Sequence, residues 1–186
     1  LKRLYTALSL VAPGEVAALP SLPSFIYLPE DGEVSPEQLR LPWHSKTNTP
    51  DSAIGVMARD LAAKTPDKVV ASAKSWLCSE RIDRHAPCLP TTAPAQARKV
   101  SPVTAVQMIL EHLRDAWNNA MAGKDKTARL EEQDLVITVP ASFDAVARDL
   151  TVEAAKAAGL TFTLLEEPQA AFYAWLSNQG DAWRQS

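Results

Sequence analysis

The sequence predicts an α/β fold in which parallel strands are joined by helices. Two apolar runs, residues 134–139 and 162–165, are predicted to be strands. The first is rich in β-branched side chains, as expected of a strand covered on both faces of a parallel sheet. Between them, Asp144 can cap a helix that ends at Gly159. The inward face of this helix is expected to contain Val146, Leu150 and Ala154. A strand, a helix and a strand in this order form a right-handed crossover if both strands join one sheet.

A second helix is expected to precede the first of these strands. Ser101 can accept a hydrogen bond from a free backbone N–H, and Pro102 suits the first helical position. The helix should end near Gly123. Its buried face is expected to consist of Val103, Val106, Leu110, Leu113 and Trp117, which recur at helical spacing.

The first hundred residues are expected to be less regular, because 12 of the 14 prolines lie between Pro13 and Pro102. One strand is predicted within residues 13–53, over residues 24–28, and residues 35–53 are expected to be irregular. A helix is predicted over 54–64, with Ile54, Met57 and Leu61 on one face. Residues 69–77 are expected to form either one helix or a short strand and then a helix. Residues 79–100 are expected to form a loop or an irregular hairpin.

Composition excludes several classes of function. A net charge of −3 and a pI near 5.6 provide no electrostatic basis for binding nucleic acid or an anionic membrane. No apolar run approaches the ~20 residues that span a bilayer. The charged and then apolar start, residues 1–12, raises the alternative of a signal peptide, but we expect the interior of a larger protein. Cys78 and Cys88 form no metal-binding pattern with the three histidines, so we expect free thiols in the cytoplasm.

The last third of the chain carries a specific set of motifs. These are Val139-Pro140-Ala141-Ser142-Phe143, Arg148, Gly159 and Glu167-Pro168-Gln169-Ala170-Ala171. The earlier half adds Leu22-Pro23-Ser24 before a strand, Ile54-Gly55, Pro66 and Ser72-Ala73-Lys74. In these motifs and their order, residues 20–176 resemble the nucleotide-binding domain of the 70-kDa heat-shock (DnaK-like) chaperones.

The resemblance implies an actin-like ATPase (ribonuclease H-like) fold, of which this chain would hold the first lobe. Residues 1–100 would form a peripheral α+β subdomain, and residues 101–186 the α/β core subdomain without its N-terminal hairpin. The Asp-x-Gly-Thr-Thr and Asp-x-Gly-Gly-Gly-Thr phosphate loops of the family have no counterpart here. We therefore expect a fragment, incomplete at both ends, that binds no nucleotide and hydrolyses no ATP by itself.

Four residues align with functional positions of the family. Lys74 matches the lysine required for hydrolysis, and Glu167 a glutamate near the γ-phosphate that contacts Mg²⁺ only through water. Pro140 and Arg148 match residues that couple the nucleotide state to the peptide-binding domain. Simpler interpretations remain open. Lys74 would then be a surface lysine packed along its aliphatic stem, Glu167 an acid favoured by the helix dipole, and Pro140 a proline that ends a strand.

Three positions depart from the family pattern, namely Val152, Thr163 and Glu166. The family has a lysine in place of Val152 and an asparagine in place of Glu166. In place of Thr163 it often has a basic residue that contacts the J-domain co-chaperone. We therefore expect a divergent bacterial member with altered co-chaperone contact. The parent is then expected to be an ATPase with ATP or ADP and Mg²⁺ as ligands. Its partners would be the second lobe, the peptide-binding domain and a co-chaperone or nucleotide-exchange factor, and free sheet edges make self-association plausible. A degenerate homologue acting as a protein scaffold, or a kinase of the same superfold, remains an alternative.

Overall fold

A computed structural model of the chain describes residues 7–45 and 47–179. The strands are β1 (Ala7–Ala12), β2 (Glu15–Leu19), β3 (Phe25–Tyr27), β4 (Ala53–Ile54), β5 (Val69–Ala71), β6 (Val136–Val139) and β7 (Thr163–Glu166). The helices are α1 (Val56–Leu61), α2 (Ala73–Trp76), α3 (Pro102–Trp117), α4 (Ala145–Ala157) and α5 (Glu167–Gln179). Among these helices, none is long and apolar enough to cross a membrane.

The predicted strand–helix–strand unit is present as β6, α4 and β7, and the two strands pair in parallel. The Asp144 carboxylate caps α4 by accepting the Ala147 N–H at 2.7 Å, and Gly159 follows the helix with a φ of 74°. Two details of the prediction are wrong. Val146 points to solvent, and β6 is not covered on both faces, because Val136 is 51% exposed and only Val139 is buried in that strand.

Helix α3 begins where the sequence predicts. The Ser101 hydroxyl accepts the Thr104 N–H at 3.0 Å, and Pro102 occupies the first turn. The helix continues as a π-helical turn to Ala122, and Gly123 ends it with a φ of 53°. Its predicted apolar face is buried at Val103 and Val106 but only half-buried at Leu110, Leu113 and Trp117. On this face, the C-terminal half of α3 is therefore only partly covered.

The first hundred residues contain more strand than predicted. The predicted strand is β3, the centre of a three-stranded antiparallel sheet between β4 and β5. Strands β1 and β2 form an antiparallel hairpin that was not predicted, since its alanines favour strands only weakly. Residues 69–77 form a strand followed by a helix. Within 79–100 a single bridge joins Leu89 and Val100, as expected of an irregular hairpin.

The buried core joins the two halves of the chain. Its main cluster combines side chains of β3 and β5 with side chains of α3, β6 and α4. Representative members are Ile26, Val70, Val106, Val139 and Leu150. A smaller cluster lies between β1, α1 and the segment 39–43, and it includes Leu10, Leu39, Leu41 and Met57. The functional residues predicted in the two halves are therefore held by one continuous core.

Candidate functional site

Lys74 lies on α2, a single helical turn that follows the edge strand β5. Ser72 precedes this turn with a φ of 54°, which makes it the one non-glycine residue with positive φ among those the structure describes. A non-glycine residue in this conformation costs about 1–3 kcal/mol, and such strain is concentrated at functional sites. The strained turn sets the direction in which the Lys74 side chain leaves the backbone.

Lys74 and Glu167 are brought into direct contact by the fold. The ammonium nitrogen donates to the Glu167 carboxylate at 2.8 Å, although the two residues are 93 positions apart. The same nitrogen donates to the Thr138 carbonyl oxygen of β6 at 2.9 Å. The Lys74 side chain is 39% exposed and that of Glu167 49%, so solvent reaches the pair.

Phe143 provides a further contact for Lys74. Its ring is buried, and the Lys74 ammonium nitrogen lies 5.9 Å from the ring centroid. An ammonium over an aromatic face at this distance is attracted by the ring quadrupole. Lys74 is therefore positioned by a carboxylate, a backbone carbonyl and an aromatic ring from three different segments.

Pro140 and Arg148 are connected through Phe143. The Phe143 N–H donates to the Pro140 carbonyl oxygen at 3.1 Å, and the Arg148 Nε donates to the Phe143 carbonyl oxygen at 3.1 Å. Arg148 also donates through Nη2 to the Glu166 carboxylate at 2.6 Å. Lys74, Pro140 and Arg148 therefore each contact Phe143, and Glu167 joins this group through Lys74.

An apolar groove of about 300 Å³ borders this region. Helix α3 forms one wall with Val106, Ile109 and Leu110, and β6 contributes Val136 and Ile137. Lys74 and Thr138 also line it. The site thus combines one cation and one carboxylate at the edge of an open groove.

The other sequence candidates for chemistry lie elsewhere. Cys78 and Cys88 are both free, and burial raises the pKa of each thiol, so neither is activated as a nucleophile. Over residues 7–45 and 47–179, no three histidine, cysteine or acidic side chains converge in a way that suits a metal ion. A metal near Lys74 and Glu167 would therefore need ligands besides these side chains.

Sequence reasoning did not identify three contributors to the site. Thr138 acts through its backbone, and Ser72 through its conformation, so neither has a signature in residue type. Phe143 was noted within a motif, but its contact with Lys74 depends on tertiary structure. The departure at Glu166 offered a usable signal, because a second acid beside Glu167 favours a nearby cation, and Arg148 pairs with it.

Comparisons with known proteins agree with this arrangement of motifs. The family model described as Hsp70 protein matches residues 45–181. The chaperone protein HscA of Enterobacter sp. is 32% identical over 134 residues, which cover 69% of this chain and 22% of that relative. The HscA homologue of Mannheimia succiniciproducens is 35% identical over 140 residues, which cover 68% of this chain and 22% of that relative. The HscA homologue of Methylococcus capsulatus is 43% identical over 81 residues, which cover 43% of this chain and 12% of that relative. The chain thus spans about a fifth or less of the relatives that it matches, and it belongs to the Hsp70 family, whose members have the actin-like ATPase fold.

Proposed function

We propose that this chain forms part of the ATP-binding and ATP-hydrolysing domain of a DnaK-like molecular chaperone. The observation that carries the proposal is the 2.8 Å contact between Lys74 and Glu167, which places a cation and a carboxylate together at the open edge of the fold. Relatives named chaperone protein HscA support the same assignment.

The Lys74 ammonium and the Glu167 carboxylate fit a nucleoside triphosphate with Mg²⁺. Phosphoryl transfer to water depends mainly on positioning and on neutralising charge that develops on the phosphate oxygens. The Lys74 ammonium would contact the γ-phosphate, and the Glu167 carboxylate would orient water, including water held by Mg²⁺. Bound Mg²⁺ would supply charge neutralisation on the phosphates, with Glu167 acting through water rather than as a direct ligand.

Pro140 and Arg148 would relay the nucleotide state to the peptide-binding domain. The support is the path from Pro140 through Phe143 to Arg148, in which the Phe143 ring lies beside the Lys74 ammonium. Glu166 holds the Arg148 guanidinium at 2.6 Å, so breaking this ion pair would be part of any movement of Arg148. Replacing Glu166 by Asn is then expected to ease the relay.

The proposed placement within the parent is the first lobe. Residues 1–100 would be its peripheral subdomain and residues 101–186 its core subdomain. ATP or ADP and Mg²⁺ would be ligands of the parent, and its partners would be the second lobe, the peptide-binding domain and a co-chaperone or exchange factor. The partly uncovered apolar face of β6 supports self-association of the isolated chain, and the free thiols support a cytoplasmic location.

Steady-state ATP hydrolysis by the full-length parent protein tests this proposal. Lys74→Ala should lower kcat by about 10²–10³-fold, because one preorganised charge at the reacting phosphate is lost. Lys68→Ala is a matched control, since Lys68 also pairs with a glutamate at 2.8 Å but lies outside the site. Unchanged kcat in the Lys74 variant would contradict the role proposed for Lys74, whereas absence of ATP hydrolysis by the unmodified parent would favour the scaffold alternative. Nucleotide-saturable turnover by the isolated chain would contradict its expected inactivity.

A further inference from the structure

A pair of histidines lies around the indole of Trp43, beside α3. His112 of α3 is 5% exposed, and its ring meets the Trp43 indole edge-on with centroids 5.3 Å apart. The His44 ring lies 5.8 Å from the same indole. The three rings line a cavity of about 580 Å³ between α3 and the segments 41–44 and 48–54.

The hydrogen bonds identify which ring nitrogen carries the hydrogen when each imidazole is neutral. His112 Nε2 donates to the Leu8 carbonyl oxygen of β1 at 2.8 Å, because a carbonyl can only accept. His44 Nδ1 accepts the Leu41 N–H at 3.1 Å, while the His44 N–H donates to the Leu41 carbonyl oxygen at 2.9 Å. The turn that presents Trp43 is therefore closed by two bonds, one of which requires an unprotonated His44 Nδ1.

Protonation would affect the two histidines differently. A proton on His44 Nδ1 turns the acceptor into a donor that faces the Leu41 N–H, so that bond is lost. A proton on His112 keeps the bond to Leu8 but places a charge in a buried site, where the charged form loses its hydration. Both changes weaken the packing of the segment 41–45 and of β1 against α3.

The surroundings oppose protonation of both rings. Burial is the largest cause that lowers the pKa of each histidine below its usual value. The Leu8 carbonyl raises the pKa of His112 and the Asp115 carboxylate raises both pKa values, but burial outweighs them. Arg40 lowers the pKa of His44, and His44 lowers that of His112. β1 carries no charged side chain, and the charged groups on the other segments around the cavity are Arg40, Asp51, Arg98, Glu111, Arg114 and Asp115.

We propose that His44, Trp43 and His112 form an acid-sensitive latch that holds strand β1 and the segment 41–45 on α3 at neutral pH and releases them on acidification. The release is local, because β1 keeps a second attachment through the Ser9 hydroxyl, which donates to the Ile54 carbonyl and accepts the Val56 N–H. The proposal does not depend on the nucleotide chemistry described above.

The pH window follows from the direction of the shifts. A histidine whose pKa is lowered by folding contributes its full stability above the unfolded value of about 6.5, and that stability is lost as pH falls below it. The carboxyls with lowered pKa values, such as Glu33 and Glu131, lose stability only at lower pH, below their unfolded values of about 4.3. Acidification from pH 7.5 to 5.5 therefore isolates the histidines.

Amide hydrogen exchange in β1 and urea unfolding of the intact chain at pH 7.5 and 5.5 test the latch. At pH 5.5 the wild-type chain should show a lower urea midpoint and faster exchange in Ala7–Ala12, after correction for intrinsic rates. In the double variant His44→Asn, His112→Gln, the Asn oxygen can still accept the Leu41 N–H and the Gln amide can still donate to the Leu8 carbonyl, but neither side chain titrates. The pH dependence of the urea midpoint and that of exchange in β1 should therefore both shrink. His85→Gln, at an exposed pair with Glu153, should keep the wild-type pH dependence.

Two results would overturn the proposal. One is a double variant with the same pH dependence as the wild-type chain. The other comes from NMR titration of the histidine ring signals in the unmodified chain, and it decides the matter even if the double variant fails to fold. Ring pKa values of His44 and His112 below the usual histidine range are expected, and values at or above that range would contradict the latch.

Discussion

Helices α4 and α5 have the same length of 13 residues but opposite environments. Helix α4 buries five side chains against α3 and β6, whereas α5 buries none of its residues. Instead α5 exposes Phe172, Tyr173 and Trp175, each by about half of its surface. The comparison shows that burial depends on neighbouring elements and not on the apolar content of a helix. It also separates a helix that stabilises the fold from one that presents Glu167 and an aromatic surface.

The largest expected effect is in α4. Leu150 is 6% exposed and belongs to the main core cluster, so Leu150→Ala should lower the free energy of unfolding by about 2–5 kcal/mol. Urea unfolding followed by circular dichroism measures this change. A loss below about 1 kcal/mol would contradict the view that α4 stabilises the fold more than α5 does.

A smaller effect is expected at the start of α4. Asp144→Ala removes the acceptor for the Ala147 N–H and should cost about 1 kcal/mol of unfolding free energy. Asp149→Ala is the control, because Asp149 is exposed in the middle of the same helix and makes no capping bond, and its effect should stay within about 0.5 kcal/mol. Equal losses in the two variants would show that charge rather than capping is responsible.

The smallest effect on stability is expected in α5. Phe172 is 55% exposed and contacts the neighbouring Tyr173 and Trp175 rings of its own helix. Phe172→Ala should therefore change the free energy of unfolding by no more than about 0.5 kcal/mol. The same unfolding assay as for Leu150→Ala makes the comparison direct. A loss above about 2 kcal/mol would show that α5 is packed in solution.

The two helices also show how far the sequence predicts the fold. The start of α3, the strand–helix–strand unit and the strand at 25–27 follow from local signals, namely capping residues, proline position and apolar periodicity. The exposure of Val146 and of the α5 aromatics does not, since it depends on which elements lie nearby. The β1–β2 hairpin was missed because its alanines give little strand signal.

The site was predictable only in part, for a related reason. Lys74 and Glu167 were identified by resemblance to the family, and residue chemistry alone would have favoured a surface lysine and a first-turn acid. Their contact spans 93 positions and cannot be read from local pattern. The roles of Thr138, Phe143 and Ser72 depend on a backbone carbonyl, a ring position and a strained dihedral, none of which residue type encodes.

The central claim is that the Lys74–Glu167 pair serves catalysis rather than stability, and charge exchange tests it most directly. An exposed ion pair contributes only about 0–1 kcal/mol, and the hydrogen bond from Lys74 to the Thr138 carbonyl adds about 1 kcal/mol. The double variant Lys74→Glu, Glu167→Lys should therefore unfold within about 2 kcal/mol of wild type. In the full-length protein its single-turnover ATP hydrolysis should nevertheless remain about 100-fold or more below wild type, because the cation no longer faces the phosphate from α2. Recovery of hydrolysis in the exchanged pair would contradict the account and identify a structural ion pair.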